Sequence, residues 1–156
     1  MLKQRVLTAL AILPIALAAI MLTPLLWFDG LLILLLAGLM REWVRLTRVP
    51  VRWQWLPVAL APLVFAVGVI DWEYHYIWRE ALLLGAVLLW IFCPLWFVSR
   101  YPLGTVYKVI GGVVLVSATG IALHVLKEFS PNGLLVLLVF LLVWAADVGA
   151  YFAGKG

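Results

Sequence analysis

Gly30-Leu31-Leu32-Ile33-Leu34-Leu35-Leu36-Ala37-Gly38-Leu39-Met40 runs directly into Arg41-Glu42-Trp43-Val44-Arg45-Leu46. Whether this stretch crosses a bilayer or only dips into it decides the architecture. Its 11 uncharged residues, at about 1.5 Å each, rise only about 16 Å, half of a hydrocarbon core roughly 30 Å thick. Charge settles the matter. With a crossing here, Lys3, Arg5, Arg41, Arg45, Arg48, Arg52, Arg100, Lys108 and Lys155 all fall on one side, which the positive-inside rule makes cytoplasmic. The opposite segments hold Asp29, Asp71, Glu73, Arg79, Glu80, Lys127 and Glu128, two basic residues against five acidic ones. A re-entrant second helix would turn the four-arginine segment outward and erase this bias. The stretch therefore reads as a spanning helix that continues to about Leu46, with Arg41 and Arg45 snorkelling to the interface.

The rest of the 156-residue chain agrees with that choice, since 67% of it is hydrophobic and only 12% charged, whereas apolar residues make up roughly half of a soluble domain. The fold class is all-α: a polytopic integral membrane protein with about six transmembrane helices and both termini cytoplasmic. The helices are placed at 6–28, 30–46, 53–70, 81–99, 109–126 and 131–153, in a single membrane domain over 1–156. The first run opens on Lys3-Gln4-Arg5 as a signal peptide would, but its 23 apolar residues, Pro14 and the lack of a small-residue cleavage site favour an uncleaved helix. The longest polar segments are Arg41–Arg52 and Asp71–Glu80, so no soluble domain is expected. Topology accounts for the net charge of +4, and nucleic acid is not implied. Cys93 stands alone, which excludes a disulfide framework and a cysteine zinc site.

Function is sought first at Asp147, the one acidic residue of the last apolar run. A carboxylate at the centre of a lipid-facing helix costs roughly 2.5 to 3.5 kcal/mol and usually serves proton, ion or substrate chemistry. Ser130-Pro131-Asn132-Gly133 predicts the start of helix six, with Ser130 as N-cap and Pro131 in the first turn. Counted from there, Asp147 lies about 24 Å along the helix, one to two turns below the cytoplasmic surface. An interfacial aspartate that reaches water cheaply is the plain alternative; against it, Val148, Ala150, Phe152 and Ala153 carry the apolar character past the carboxylate. Trp144, Asp147, Tyr151 and Gly154 share one helical face. Gly149 and Gly154 let a ligand or another helix approach the backbone. Lys155 can neutralise a phosphate at the membrane surface, or serve only as a topological anchor.

Glu42 is the one acidic residue in any cytoplasmic loop, with a salt bridge to Arg45 or to the neighbours of Arg41 across the hairpin as its default role. Arg41, Arg45 and Arg48 form a basic edge that attracts anionic headgroups at about 1 kcal/mol per residue, topogenic charge being the simpler account. His75 and His124 stand at no metal-ligand spacing. Trp27, Trp43, Trp53, Trp55, Trp72, Trp78 and Trp96 gather at helix ends as an interfacial belt. Gly111-Gly112 and Gly120 predict a tight contact on helix five, and the first two leave room for a homodimer contact.

Two segments carry a family resemblance. Met1-Leu2-Lys3-Gln4-Arg5-Val6-Leu7-Thr8-Ala9-Leu10 with Pro14 resembles the amino-terminal signature of bacterial phosphatidate cytidylyltransferases, the CDP-diacylglycerol synthases. Leu142-Val143-Trp144-Ala145-Ala146-Asp147-Val148-Gly149-Ala150-Tyr151-Phe152-Ala153-Gly154-Lys155 is similar to the family's internal motif, and Glu42-Trp43 to its helix-two motif. The resemblance implies transfer of a cytidylyl group from CTP to phosphatidic acid, with magnesium as the required ion, in a bacterial cytoplasmic (inner) membrane. It further implies Asp147 as a catalytic and metal contact, and Tyr151, Lys155, Gly149, Gly154 and Glu42 as substrate contacts. The family's lysine- and aspartate-rich later signature is not in these 156 residues, so the chain reads as the front part of such an enzyme, inactive by itself. The rival expectations are a cation- or proton-coupled transporter using Asp147 with His124, and a non-catalytic membrane scaffold packed through helix five.

Overall fold

A computed structural model describes residues 13–70, 76–98 and 104–154. These residues are helical, without a strand: α1 covers 13–21, α2 Leu25–Leu46, α3 Trp55–Ile70, α4 Tyr76–Val98, α5 Thr105–Phe129 and α6 Leu134–Ala153, with one 3-10 turn at Val51–Trp53. Among the described residues three segments are long and apolar enough to cross a membrane, Val51–Val69, Thr105–Phe129 and Leu134–Ala153.

Several helix limits differ from the sequence expectation, and for one reason. Charges are poor markers of helix boundaries, because Lys, Arg and Glu are good helix formers, and the breaks fall instead at particular turns, such as those with Pro24 and Gly133, while Pro62 stays inside α3. Helix one, expected through residue 28, ends by residue 22, where Thr23 Oγ1 turns back to donate to the Ala19 carbonyl at 2.5 Å and Pro24 intervenes. Helix two consequently starts at Leu25 rather than Gly30. Its 22 residues are about 33 Å long, and Asp29 lies buried inside it rather than in a loop. Helix four begins at Tyr76 and so takes in Arg79 and Glu80; helix five takes in Lys108, Lys127 and Glu128.

Helix six starts three residues later than expected. Ser130 does not cap it: Gly133 N–H donates to the Ser130 carbonyl at 2.7 Å, closing a β-turn with Pro131 at its second position. The Ser130 hydroxyl donates to Asn132 Oδ1 at 2.5 Å, and that oxygen in turn accepts from Leu134 N–H at 3.3 Å. Gly133 is the N-cap, in the left-handed region at φ 75°.

The chain divides into two compact units, residues 1–28 with 123–156 and residues 29–122. The first is organised on Lys127, which is 2% exposed. Its Nζ donates to the Ile20 carbonyl at the end of α1 (2.6 Å) and to the Pro131 carbonyl in the turn (2.8 Å), and lies 5.7 Å from the centre of the Phe28 ring. A cation beside the last carbonyls of a helix is favoured by the helix dipole, and the ring adds a cation–π contact. A Cβ on Gly133 would overlap the same Ile20 carbonyl, so glycine is required there by space as well as by φ.

The second unit is a seam of α2, α3 and α5. Leu32, Leu36, Met40 and Val44 are buried at four-residue intervals along α2, and Met40 and Val44 join Ala61 of α3 and Val113 of α5 in one cluster. Apolar helices in lipid gain little from hydrophobic transfer and depend on close van der Waals contact and interhelical hydrogen bonds. Both occur here. A Cβ on Gly120 would stand 2.6 Å from Leu36 Cδ1 and 2.9 Å from Phe65 Cδ2, and the Ser117 hydroxyl donates to the Ala61 carbonyl at 3.0 Å.

At the end of this seam α2 closes in a Schellman motif. Arg48 N–H donates to the Arg45 carbonyl at 3.2 Å and Val49 N–H to the Val44 carbonyl at 3.1 Å, while Val49 and Val44 both join the core cluster. Arg48 sits at the left-handed position, φ 57°, where a side chain costs about 1–2 kcal/mol relative to glycine.

Gly133→Ala is expected to lower stability by about 3 kcal/mol through left-handed strain plus the overlap. Gly85→Ala, in α4 with nothing within 4 Å of its Cβ position, is expected to raise it by about 0.5–1 kcal/mol. Thermal unfolding of the two variants in detergent, followed by helical circular dichroism, checks the contrast.

Candidate functional site

Asp147 lies on α6, 13 residues beyond Leu134, and therefore about 20 Å along the helix. The expected distance was about 24 Å; the later start of the helix accounts for the difference. Every residue from Leu138 to Gly154 is exposed, and Val136 is the buried member of this helix. The carboxylate makes no hydrogen bond or ion pair with another described residue. Tyr151 is one turn further on, 58% exposed, its ring edge-on to Phe152 with centroids 5.6 Å apart at 77°. Gly149 has nothing within 4 Å of its Cβ position. Gly154 ends α6 in right-handed geometry, φ −80°, donating its N–H to the Ala150 carbonyl at 3.0 Å. Lys155 lies outside the described residues. Helix α6 thus brings Asp147, Tyr151, Gly149 and Gly154 onto one exposed element.

Glu42 belongs to the other unit. Its Oε1 accepts from Arg45 Nη1 at 3.0 Å, with side chains 65% and 56% exposed. A pair this open is worth little in stability, in the range of about 0–1 kcal/mol. Its neighbour Trp43 has a role that sequence reasoning missed. The indole Nε1 donates to the Lys108 carbonyl in the first turns of α5 at 2.9 Å, and the ring fills the space where Gly112 has no side chain. Trp43 is an interhelical clamp, and the gap at Gly112 is taken up within the chain, leaving Gly111 open. Glycine at 112 was the available signal; which ring would fill it was not readable from one sequence.

The role of Lys127 was likewise not legible, because its charge marks a loop in the sequence while its backbone is helical. With buried His124, it lies at the α5 end beside the turn into α6, about 20 Å along α6 from Asp147. The two ends of this unit are thus far apart, and the separation does not advance the transporter expectation. Nor do three His, Cys, Asp or Glu side chains gather among the described residues to hold a metal ion. An apolar groove of about 380 Å³, lined by Leu63, Val64, Val67 and Leu82, presents no polar side chain to a nucleotide.

The cytidylyltransferase family model matches residues 3–156. The chain is 31% identical over 166 residues to the phosphatidate cytidylyltransferase of Pseudomonas aeruginosa, in an alignment that covers 99% of this chain and 58% of that protein. It thus spans 58% of the length of the curated relative it matches. No solved structure matches it.

Trp43 and Asp147 separate clearly by stability. Trp43→Phe, which keeps the ring but loses the donor, is expected to cost about 1 kcal/mol. Asp147→Asn, exposed and without a described partner, is expected to stay within about 0.5 kcal/mol of the parent. Thermal midpoints in the same detergent measure both.

Proposed function

We propose, because the chain belongs to the cytidylyltransferase family, that the protein is a phosphatidate cytidylyltransferase of the bacterial inner membrane, transferring a cytidylyl group from CTP to phosphatidic acid. In this reaction a phosphate oxygen of the lipid attacks the α-phosphorus of CTP, the bond to the β-phosphate breaks, and CDP-diacylglycerol and pyrophosphate leave. The family membership over nearly the whole chain carries this reading.

Six crossings with both termini cytoplasmic fit the chemistry, since CTP is a cytoplasmic solute and the lipid is held in the bilayer. At 22 residues α2 has the length to cross, although Asp29, Arg41, Glu42 and Arg45 keep it out of the three segments apolar enough by composition; with α2 crossing, the basic α2–α3 connection faces the cytoplasm.

Asp147 is the residue assigned to the phosphates. Both of its oxygens are unclaimed by described side chains, and a single open carboxylate fits one position around a magnesium ion, which characteristically takes one or two carboxylates with substrate phosphates and water as the rest. Such an ion would screen the negative charge that keeps two phosphates apart. Tyr151, one turn along the same face, offers a phenol to the nucleotide or to the phosphate. Gly149 leaves the backbone on that helix open to close approach. Lys155, next in sequence to Gly154, is assigned as a cation for the phosphates. Glu42 is assigned a supporting role: its ion pair with Arg45 sets charge at the end of α2, next to the Trp43 clamp.

In the full-length protein, Asp147→Asn is expected to reduce turnover about 100-fold or more, and Tyr151→Phe less severely. Incorporation of labelled CTP into chloroform-extractable lipid at saturating CTP is the assay. Parental turnover by Asp147→Asn would remove the carboxylate from the site.

A further inference from the structure

The corner where α2 ends and α3 begins carries more positive charge than the Glu42–Arg45 pair or the core accounts for. Arg41, Arg45, Arg48 and Arg52 are all exposed there, and Glu42 neutralises only Arg45. Among the described residues Arg41, Arg48 and Arg52 meet no carboxylate. Lys108 joins the same corner, because the Trp43 indole holds its carbonyl at 2.9 Å. Interleaved with these cations are exposed apolar side chains: Leu46 at 79%, Val51 at 83% and Trp55 at 63%. Arg52 lies 6.0 Å from the centre of the exposed Trp53 ring.

Arg48 is the telling member. It occupies the left-handed position of the Schellman motif, where glycine is the unstrained choice. Strain at a backbone position is a sign that the side chain is wanted for something other than the fold. The Arg48 side chain is exposed and makes no described contact that would explain it. Its charge is what remains.

We propose that this corner is a docking surface for anionic phospholipid headgroups, with Arg41, Arg48 and Arg52 meeting the phosphates and Leu46, Val51, Trp53 and Trp55 entering the acyl boundary beside them. The occupant is a lipid rather than a free phosphate compound, because a solute would have no use for the four exposed apolar side chains around the arginines. A cation cluster with aromatic and aliphatic neighbours is what an interfacial lipid layer rewards, each basic residue strengthening association about fivefold. The surface is independent of the reaction assigned above, since it needs no turnover and contains none of the residues of the α6 face.

The test uses the purified chain in detergent, titrated with phosphatidylglycerol and separately with phosphatidylcholine, and read by native mass spectrometry. Phosphatidylglycerol supplies an anionic headgroup without being a substrate of the proposed reaction. The parent is expected to bind it preferentially; Arg48→Gly is expected to weaken that binding about fivefold, and the triple variant Arg41→Gln, Arg48→Gly, Arg52→Gln about a hundredfold. Arg48→Lys, which keeps the charge, should remain within about twofold. Arg48→Gly also relieves the left-handed strain, so its thermal midpoint should rise while its lipid binding falls, a combination that misfolding does not produce. Parental phosphatidylglycerol affinity in Arg48→Gly, equal affinity for the two lipids, or displacement of the lipid by millimolar pyrophosphate would each overturn the proposal.

Discussion

Of the three glycines on α5, Gly112 and Gly120 are met by side chains from other helices, and the second unit is organised around those contacts. Trp43 of α2 occupies the space at Gly112, and Leu36 of α2 with Phe65 of α3 occupies the space at Gly120. In lipid, where apolar surface gains little by leaving its surroundings, such close approach is the available source of binding between helices. The buried stripe Leu32, Leu36, Met40 and Val44 can only lie against α5 at this distance, and the hydrogen bonds from Ser117 to Ala61 and from Trp43 to Lys108 form as a result of it. The position of the arginine corner is set by the same contact, because Trp43 fixes the last turns of α2 immediately before the chain turns toward α3.

The first unit solves a different problem. Three chain segments meet there, and helix ends carry carbonyls without partners. Lys127 answers one of them, Ile20, together with the Pro131 carbonyl of the turn, with its ammonium group buried between the two. A buried cation is tolerable only when its donors are used, and here the carbonyls and the Phe28 ring supply the partners. The aliphatic stem of lysine makes this possible, since it allows the charge to reach a neighbouring helix end from within α5.

The uncharged runs of the sequence were sufficient to identify a chain that is helical over its described residues, with segments long and apolar enough to cross a membrane. Spacing offered Arg45 as one of two partners for Glu42, and the structure takes that one. The helix limits were less legible. Asp29, Arg79, Lys108, Lys127 and Glu128 each sit inside a helix, and a charge says where water or a partner lies, not where a helix stops. Thr23-Pro24 and the Ser130–Gly133 turn are the better punctuation, although in the second the serine hydroxyl bonds Asn132 instead of capping the helix. Asp147 and Tyr151 could be placed on one face from their spacing, whereas the partners of Trp43 and Lys127 depend on which helices meet, information that resides in tertiary packing and not in any local window.

Helix α6 shows how these constraints reach the candidate site. It is packed at its start, through Gly133 and buried Val136, and exposed from Leu138 onward. Its Leu- and Val-rich turns are at home against acyl chains, so lipid explains every exposed side chain in its middle except the carboxylate of Asp147. The setting of that carboxylate is determined some 20 Å away, at the Gly133 cap. A tilt of about 10° at the cap would carry Asp147 by about 3.5 Å over that lever, more than the roughly 1 Å misplacement that suffices to damage a reacting geometry. The overlap that any side chain at position 133 would make with the Ile20 carbonyl, and the lysine that holds this carbonyl from the other side, therefore act on the site without touching it: they set the direction in which α6 leaves the turn.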